Sequence, residues 1–166
     1  MTDRRLTFLF PSGGHKTKGL PELLSAFDQL DPEKYELLIA GQKTNRHLPP
    51  NTRFVGYVNN LAPLYSAVDF MILPSHYEAF GLVVPEALAC GTPVIVTRVV
   101  GAAELLSEND GIVIPDNRTE TLVKTITGLE GRKFSVTGDF ALRHGLTIEQ
   151  HIAKIKTLVG SGGNNG

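Results

Sequence analysis

A basic loop and a pair of carboxylates are the features of this sequence whose residue types and spacing could do chemistry. His15, Lys16 and Lys18 lie among glycines just before a predicted helix. The N–H groups and the dipole at a helix N-terminus favour an anion, and lysines add full charges, so the loop is a candidate phosphate site. A solvated basic turn is the other interpretation. Glu78 and Glu86 are eight residues apart, a spacing that pairs of surface carboxylates also show.

The residues around the two glutamates favour a ligand site there. Pro74-Ser75 ends a predicted buried strand, and Ala79-Phe80-Gly81 predicts a tight turn where the backbone can approach a ligand. A helix follows, with Pro85 tolerated in its first turn and Glu86 one turn in. We expect the first N–H groups of that helix to face the same crevice.

Short apolar runs alternate with amphipathic segments along the whole chain. Six runs predict strands: Leu6–Phe10 (stopping at Pro11), Tyr35–Ala40, Thr52–Val55, Phe70–Leu73, Pro93–Thr97 and Gly111–Ile114. Helical segments are predicted over 20–30, 61–68, Leu82–Cys90, Ala102–Leu106 (a short turn), Thr119–Leu129 and 148–159. This alternation predicts an α/β fold, a doubly wound, Rossmann-like parallel sheet of about six strands. In such sheets the ligand crevice lies at the carboxyl ends of the strands, at the switch point.

Composition indicates one globular domain and excludes several classes of protein. We expect the 166 residues to form a single domain over 1–160, with a disordered tail at 161–166. Sixteen Lys and Arg against seventeen Asp and Glu argue against a nucleic-acid binder. A lone cysteine, Cys90, fits a reducing, cytoplasmic location, and the sequence has no apolar run of about 20 residues.

Standard nucleotide and metal motifs do not fit. Ser12-Gly13-Gly14 does not continue as G-x-G-x-x-G, which disfavours an NAD enzyme. Gly14 and Gly19 have the P-loop spacing, but Leu20-Pro21 stands where Lys-Ser/Thr is required. A receiver domain needs acidic residues after its first strand, and none occurs there. With no Asp-x-Asp and no histidines at ligand spacing, we expect no metal site.

Five spaced motifs resemble the donor-binding domain of retaining glycosyltransferases of the GT-B fold, specifically glycosyltransferase family 4. They are Lys18-Gly19, Tyr65-Ser66-Ala67-Val68-Asp69 (its alanine one position early), Pro74-Ser75-His76-Tyr77-Glu78-Ala79-Phe80-Gly81, Glu86-Ala87-Leu88-Ala89-Cys90-Gly91-Thr92-Pro93-Val94, and Gly101-Ala102-Ala103-Glu104. The resemblance covers about residues 6–158. One departure is Gly13, which stands where the family commonly has an arginine; His15 or Lys16 would supply that charge. The first loop looks most similar to bacterial enzymes of lipopolysaccharide-core and surface-glycan assembly.

The resemblance implies roles for individual residues. Lys18 and Glu78 would be catalytic, Lys18 by stabilising the leaving diphosphate and Glu78 by accepting hydrogen bonds from the transferred sugar. Glu86 would bind the ribose hydroxyls. The implied donor-binding residues are Gly14, His15, Lys16, Lys18, Gly56, Tyr57, Val58, Glu78, Ala79, Phe80, Gly81, Leu82 and Glu86. Among them, Gly56-Tyr57-Val58 would line the base pocket through backbone, and the amides of Phe80, Gly81 and Leu82 would reach sugar and phosphate oxygens. No metal and no cofactor is implied.

The resemblance also implies a partner. A GT-B enzyme has two Rossmann-like domains, and this sequence corresponds to the second, so we expect the chain to need an N-terminal acceptor domain for activity. The reaction would transfer a sugar from an NDP-sugar, first a UDP-sugar, to a glycan or lipid-linked acceptor. Any membrane contact would be made by the acceptor domain. Two alternatives remain at this point: a nucleotide or glycan-phosphate binding module without activity, and a GT-B nucleotide-sugar epimerase.

Overall fold

The computed structural model describes residues 4–12, 16–147 and 149–150, and its centre is one parallel sheet. The strands are β1 (Leu6–Ser12), β2 (Tyr35–Gly41), β3 (Thr52–Gly56), β4 (Phe70–Leu73), β5 (Val94–Thr97) and β6 (Gly111–Ile114). Their order is β3-β2-β1-β4-β5-β6, and every pairing is parallel. The predicted doubly wound α/β fold is confirmed.

Helices cover both faces of the sheet because the strands are apolar on both sides. The helices are α1 (Leu20–Phe27), α2 (Ala62–Ala67), α3 (Val83–Ala89), α4 (Thr119–Thr127) and α5 (Phe140–Arg143). Phe8 and Phe10 of β1 belong to one apolar layer, with α1 and α4. Leu9, between them, belongs to the other layer, with α2, α3 and α5. Successive strand residues point to opposite faces, and each buried Leu or Phe contributes about 1.5–3 kcal/mol.

The first strand is longer than predicted. β1 continues through Pro11 and Ser12, which pair with Ala40 and Gly41 of β2. The expected stop at Pro11 is therefore wrong. On the other side of β1, β4 pairs only with Phe8 and Leu9. Because Pro11 lies beyond that stretch, its missing N–H removes no donor from the β1–β4 ladder.

Two predicted helices end early. α1 ends at Phe27 and α4 at Thr127, although Leu30 and Leu129, where the predicted helices end, are both buried. The spacing of apolar residues continues through the turn that follows each helix, so residues beyond the last helical hydrogen bond are still buried. A 3₁₀ turn over Gly101–Leu105 replaces the expected turn at 102–106.

α5 was not predicted from the sequence, and the last predicted helix lies mostly in a region that the structure does not describe. α5 is only four residues long, and Phe140 anchors it in the layer with α3. The helix predicted over 148–159 and the tail at 161–166 lie outside the described residues, apart from 149–150. Within the described part of the chain, no helix is long and apolar enough to cross a membrane.

Candidate functional site

Lys18 and Glu78 meet where the sheet changes direction. β1 is flanked by β2 and β4, so the loops after β1 and β4 diverge from the switch point at the carboxyl edge. Lys18 lies in the first loop and Glu78 in the second, and Lys18 Nζ is 3.8 Å from Glu78 Oε2. The two side chains are 19% and 24% exposed. The structure therefore places the predicted cation and the first predicted carboxylate together, each serving as the counter-ion of the other.

Close backbone contacts hold these two loops in register. Gly19 has a φ of 77°, and a Cβ atom there would lie 2.0 Å from the carbonyl oxygen of Pro74. That oxygen accepts a hydrogen bond of 3.2 Å from Asn117 Nδ2. The His76 N–H donates to the Thr17 carbonyl at 2.8 Å. Only glycine permits this approach, because any Cβ atom at this position would collide with the Pro74 carbonyl. Gly19 therefore sets the backbone position of the adjacent Lys18.

A side-chain contact adds a second link between the same loops. His76 Nε2 is 3.1 Å from Glu22 Oε1 on α1. The sequence motifs assign neither residue a ligand-binding role. The two partners are 54 positions apart in the chain, so no local motif indicates this contact.

The turn after Glu78 is built by backbone hydrogen bonds to the segment after β5. The Gly101 N–H donates to the Glu78 carbonyl at 3.0 Å, and the Ala102 N–H donates to the Phe80 carbonyl at 2.9 Å. Gly81 has a φ of 83°, and a Cβ there would lie 2.9 Å from Val100 Cγ1. The N–H groups of residues 80–82 form no hydrogen bond within the described residues. They remain free to act as the predicted donors.

A cavity of about 200 Å³ joins Lys18 to the predicted base pocket. Its lining consists of Pro11, Lys18, Ala40, Gly41, Tyr57, Val58, Leu61 and Val83. Tyr57 follows β3 and is 81% exposed, so its ring stands at the mouth. Gly56, at the end of β3, has a φ of 89°. A larger cavity of about 340 Å³ runs along α1, and none of Lys18, Glu78 and Glu86 lines it.

Glu86 does not line the smaller cavity, but it shares a helix face with a residue that does. It is exposed on α3, three residues after Val83, which lines the cavity. Residues three apart on a helix share a face. In the part of the chain that the structure describes, Glu86 forms no ion pair with Lys18, whose partner is Glu78.

The other predicted site residues are exposed or lie outside the described residues. Lys16 is exposed, and so is Ala79 in the turn after Glu78. Gly14 and His15 lie outside the described residues, as does Gly13. Five cavity residues were not predicted from the sequence: Pro11, Ala40, Gly41, Leu61 and Val83. Pro11, Ala40 and Gly41 lie at the carboxyl ends of β1 and β2, and strand ends at a switch point are the signal that could have found them.

No group of three or more histidine, cysteine, aspartate or glutamate side chains within the described ranges is arranged to hold a metal ion.

Comparison with known proteins decides the family. The family model described as "Glycosyl transferases group 1" matches residues 2–133. The chain belongs to this family.

The similarity extends to individual glycosyltransferases. The D-inositol 3-phosphate glycosyltransferase of Mycobacteroides abscessus is 36% identical over 133 residues, which are 80% of this chain and 28% of that protein. The structure of sucrose-phosphate synthase from Thermosynechococcus elongatus matches with a TM-score of 0.77 and 25% identity, covering 98% of this chain and 46% of that one. Anabaena HepE in complex with UDP-glucose matches with a TM-score of 0.76 and 22% identity, covering 92% and 49%.

The group 1 chain thus spans less than half the length of these three proteins. Its fold is the Rossmann-like fold of a GT-B glycosyltransferase domain.

Proposed function

We propose that this group 1 domain binds a nucleotide sugar, a UDP-sugar first, and takes part in transferring the sugar with retention of configuration. Lys18 carries this proposal, because it both lines the cavity with Tyr57 and Val58 and pairs with Glu78. The base, diphosphate and sugar of a nucleotide sugar follow one another in the same order as the cavity, Lys18 and Glu78. The base would enter the cavity, the diphosphate would reach Lys18, and the sugar would reach Glu78.

The contacts give each residue a chemical task in this proposal. Glu86, on the same face of α3 as the cavity residue Val83, would accept hydrogen bonds from the ribose hydroxyls. Lys18 and the free N–H groups of residues 80–82 would stabilise charge that develops on the leaving diphosphate. Because these dipoles and the lysine charge are already in place, they require no reorganisation as the bond breaks.

In the proposed transfer, the bond between the anomeric carbon and the phosphate oxygen breaks as the acceptor oxygen attacks from the same face. The acceptor proton passes to the leaving phosphate oxygen, so atoms and charge balance without a protein nucleophile. The acceptor, a glycan or lipid-linked sugar in this proposal, would be held by a second domain that corresponds to the remainder of the relatives.

Calorimetric titration with UDP, GDP and ADP tests the donor site. Two ionic contacts and a ribose contact supply about 4 kcal/mol, so we expect millimolar or tighter binding by one of the three. The UDP preference draws on the shared fold with HepE, whose structure holds UDP-glucose. If none of the three bound, the proposal would fail.

Incubation with UDP-glucose separates an enzyme domain from a binding module. Slow release of UDP and glucose by the domain would support group-transfer chemistry at Lys18 and Glu78. Binding without release would leave the alternative of a binding module open. Formation of UDP with an epimerised sugar would favour the epimerase alternative.

A further inference from the structure

The hydroxyl of Tyr65 is a buried polar group that the proposed site does not yet use. Tyr65, on α2, is 1% exposed, and its hydroxyl has no hydrogen-bond partner in the described structure. A buried hydroxyl without a partner destabilises a fold, and phenylalanine would fill the same space without that cost. An unpaired tyrosine hydroxyl in a packed layer therefore needs an explanation.

The ring is held in one place by its surroundings. Tyr65 packs in the apolar layer that contains Val84, Ala87 and Leu88 of α3. Its carbonyl oxygen accepts a hydrogen bond of 2.7 Å from Thr92 Oγ1, in the segment between α3 and β5. These contacts anchor the backbone and the ring of Tyr65 against α3, so its hydroxyl has a fixed position relative to that helix.

Glu86 lies on a face of α3 that borders the layer containing Tyr65. Val83 and Cys90, three residues before Glu86 and four after it, pack against that layer, and residues at these spacings share one face of a helix. Burial raises the pKa of Tyr65, and the charge of the nearby Glu86 carboxylate raises it further, with smaller effects from Cys90 and from the approach of the Glu86 oxygens to the hydroxyl. The hydroxyl and the carboxylate are thus neighbours, at a separation or angle outside that of a hydrogen bond.

We propose that Tyr65 is a positioning residue, whose hydroxyl donates a hydrogen bond to one carboxylate oxygen of Glu86 when a ribose binds. The other carboxylate oxygen then accepts from the ribose hydroxyls. An exposed glutamate samples several rotamers, and a fixed donor selects the one that binds, which lowers the entropy lost on binding. This inference rests on the proposed function, because it takes Glu86 as the ribose ligand.

Tyr65→Phe, titrated with UDP and with 2′,3′-dideoxy-UDP, is the test. The substitution deletes one oxygen and keeps the packing, so we expect an unchanged or higher melting temperature. The UDP affinity should fall about 3- to 10-fold, the usual effect of one hydrogen bond. The affinity for dideoxy-UDP should not change, because that ligand lacks the hydroxyls that Glu86 holds. A purely structural tyrosine would affect both ligands equally.

Two further variants make the test specific. In a Glu86→Ala background, Tyr65→Phe should cause no additional loss of UDP affinity, since its target is gone. Tyr35→Phe is the matched control, because Tyr35 is also buried but lies at the start of β2, at the opposite edge of the sheet. It should leave UDP affinity unchanged.

The outcomes separate this inference from the proposed function. If Glu86→Ala weakens UDP binding and Tyr65→Phe does not, the positioning role is wrong and the donor site stands. Equal losses for UDP and dideoxy-UDP in Tyr65→Phe would also overturn the positioning role. If the unaltered domain bound no nucleotide, the proposed function itself would fail.

Discussion

Glu78 and Glu86 have different neighbours, and this difference predicts different ligand preferences. Glu78 pairs with Lys18, whereas Glu86 is exposed on the face of α3 that it shares with the cavity residue Val83. Glu86→Gln should weaken UDP and UDP-glucose alike, because both contain ribose. Glu78→Gln should weaken only UDP-glucose, because its proposed partners are sugar hydroxyls. Each affected affinity should fall about 10- to 150-fold, the range for a hydrogen bond to a charged group.

Calorimetric titration of both variants with both ligands checks this assignment. The informative comparison is the binding of UDP alone. If Glu78→Gln and Glu86→Gln changed it by the same factor, the division into a sugar ligand and a ribose ligand would be wrong.

Lys18 should act mainly through its charge. Lys18→Ala should weaken UDP and UDP-glucose together and flatten the dependence of their affinities on salt concentration, because screening acts on charge–charge attraction. Titrations at two salt concentrations measure this. Lys34→Ala is a suitable control, since Lys34 pairs with Glu130 at 3.6 Å, outside the site, and 60% of its side chain is exposed. A salt dependence as steep in Lys18→Ala as in the unaltered domain would contradict the role.

At the scale of elements, the contact between the loop after β1 and the loop after β4 depends on Gly19. Gly19→Ala would place a Cβ atom 2.0 Å from the Pro74 oxygen, at a φ of 77°. The conformation alone costs about 1–2 kcal/mol, and relieving the contact must move a loop. We expect a lower melting temperature and loss of UDP binding, because Lys18 is displaced.

Gly91→Ala is the matched control for that substitution. Gly91 has a φ of 79°, but no atom lies within 4 Å of its added Cβ. It should lower stability by about 1 kcal/mol and leave UDP affinity intact. Thermal melts and UDP titrations of the two variants separate backbone strain from loop displacement. Equal UDP affinity in both would show that the loop contact does not position Lys18.

The connection between α5 and the start of β6 predicts an acid-sensitive element. Burial would raise the pKa of Asp110, but hydrogen bonds from Ser107 and from Arg143 outweigh it and lower the pKa. Arg143 Nη2 is 3.0 Å from Asp110 Oδ1. A lowered folded-state pKa means that this stabilisation is present above the pKa of the unfolded chain, about 3.9, and is lost as pH falls through the folded value.

Asp110→Asn tests this contact. We expect the variant to be about 1–3 kcal/mol less stable at pH 7, because Arg143 loses one of its two carboxylate partners and keeps only Asp139. The difference from the unaltered domain should shrink as the pH falls below about 3.9, where Asp110 of the unfolded chain takes up a proton. Melting temperatures from pH 7 to pH 3 measure it, and a difference that is constant with pH would contradict the assignment.

The sequence predicts those strands and helices whose own residues show a clear pattern of apolar positions. Phe70–Leu73 and the strand ending at Thr97 are runs that are apolar on both faces, and their ends were predicted to within a residue. Four-residue α5 is too short to show a helical period, so its position is set by the burial of Phe140. The candidate site likewise combines residues that a local motif reveals with contacts that only the folded chain brings together. Glu78 and Glu86 come from a local motif, whereas the approach of Tyr65 to Glu86 exists only after α2 packs on α3.

At the scale of the whole molecule, the domain spans less than half of its relatives, which leads to a prediction about activity. The contacts proposed for Lys18, Glu78 and Glu86 are all with the donor and none is with an acceptor. We therefore expect the domain alone to bind UDP-glucose but to transfer no sugar to an acceptor. Radiolabelled UDP-glucose with a mixture of glycan and lipid-linked acceptors measures transfer. Labelled product from this chain alone would show that an acceptor site lies within it.

The strand order has a consequence for how the domain folds. β1 pairs locally with β2, but its other neighbour, β4, begins 62 positions after the partner residue Phe8. Lys18 and Glu78 lie on opposite sides of that closure, so a chain in which β4 has not docked contains no complete binding site. Long-range pairing of this kind forms slowly and late. A nucleotide that binds only the finished domain stabilises it by about 2.7 kcal/mol at a hundredfold excess over its dissociation constant. During refolding, the first appearance of UDP binding should therefore coincide with the joining of the two halves of the sheet, and an early collapsed state should not bind UDP at all.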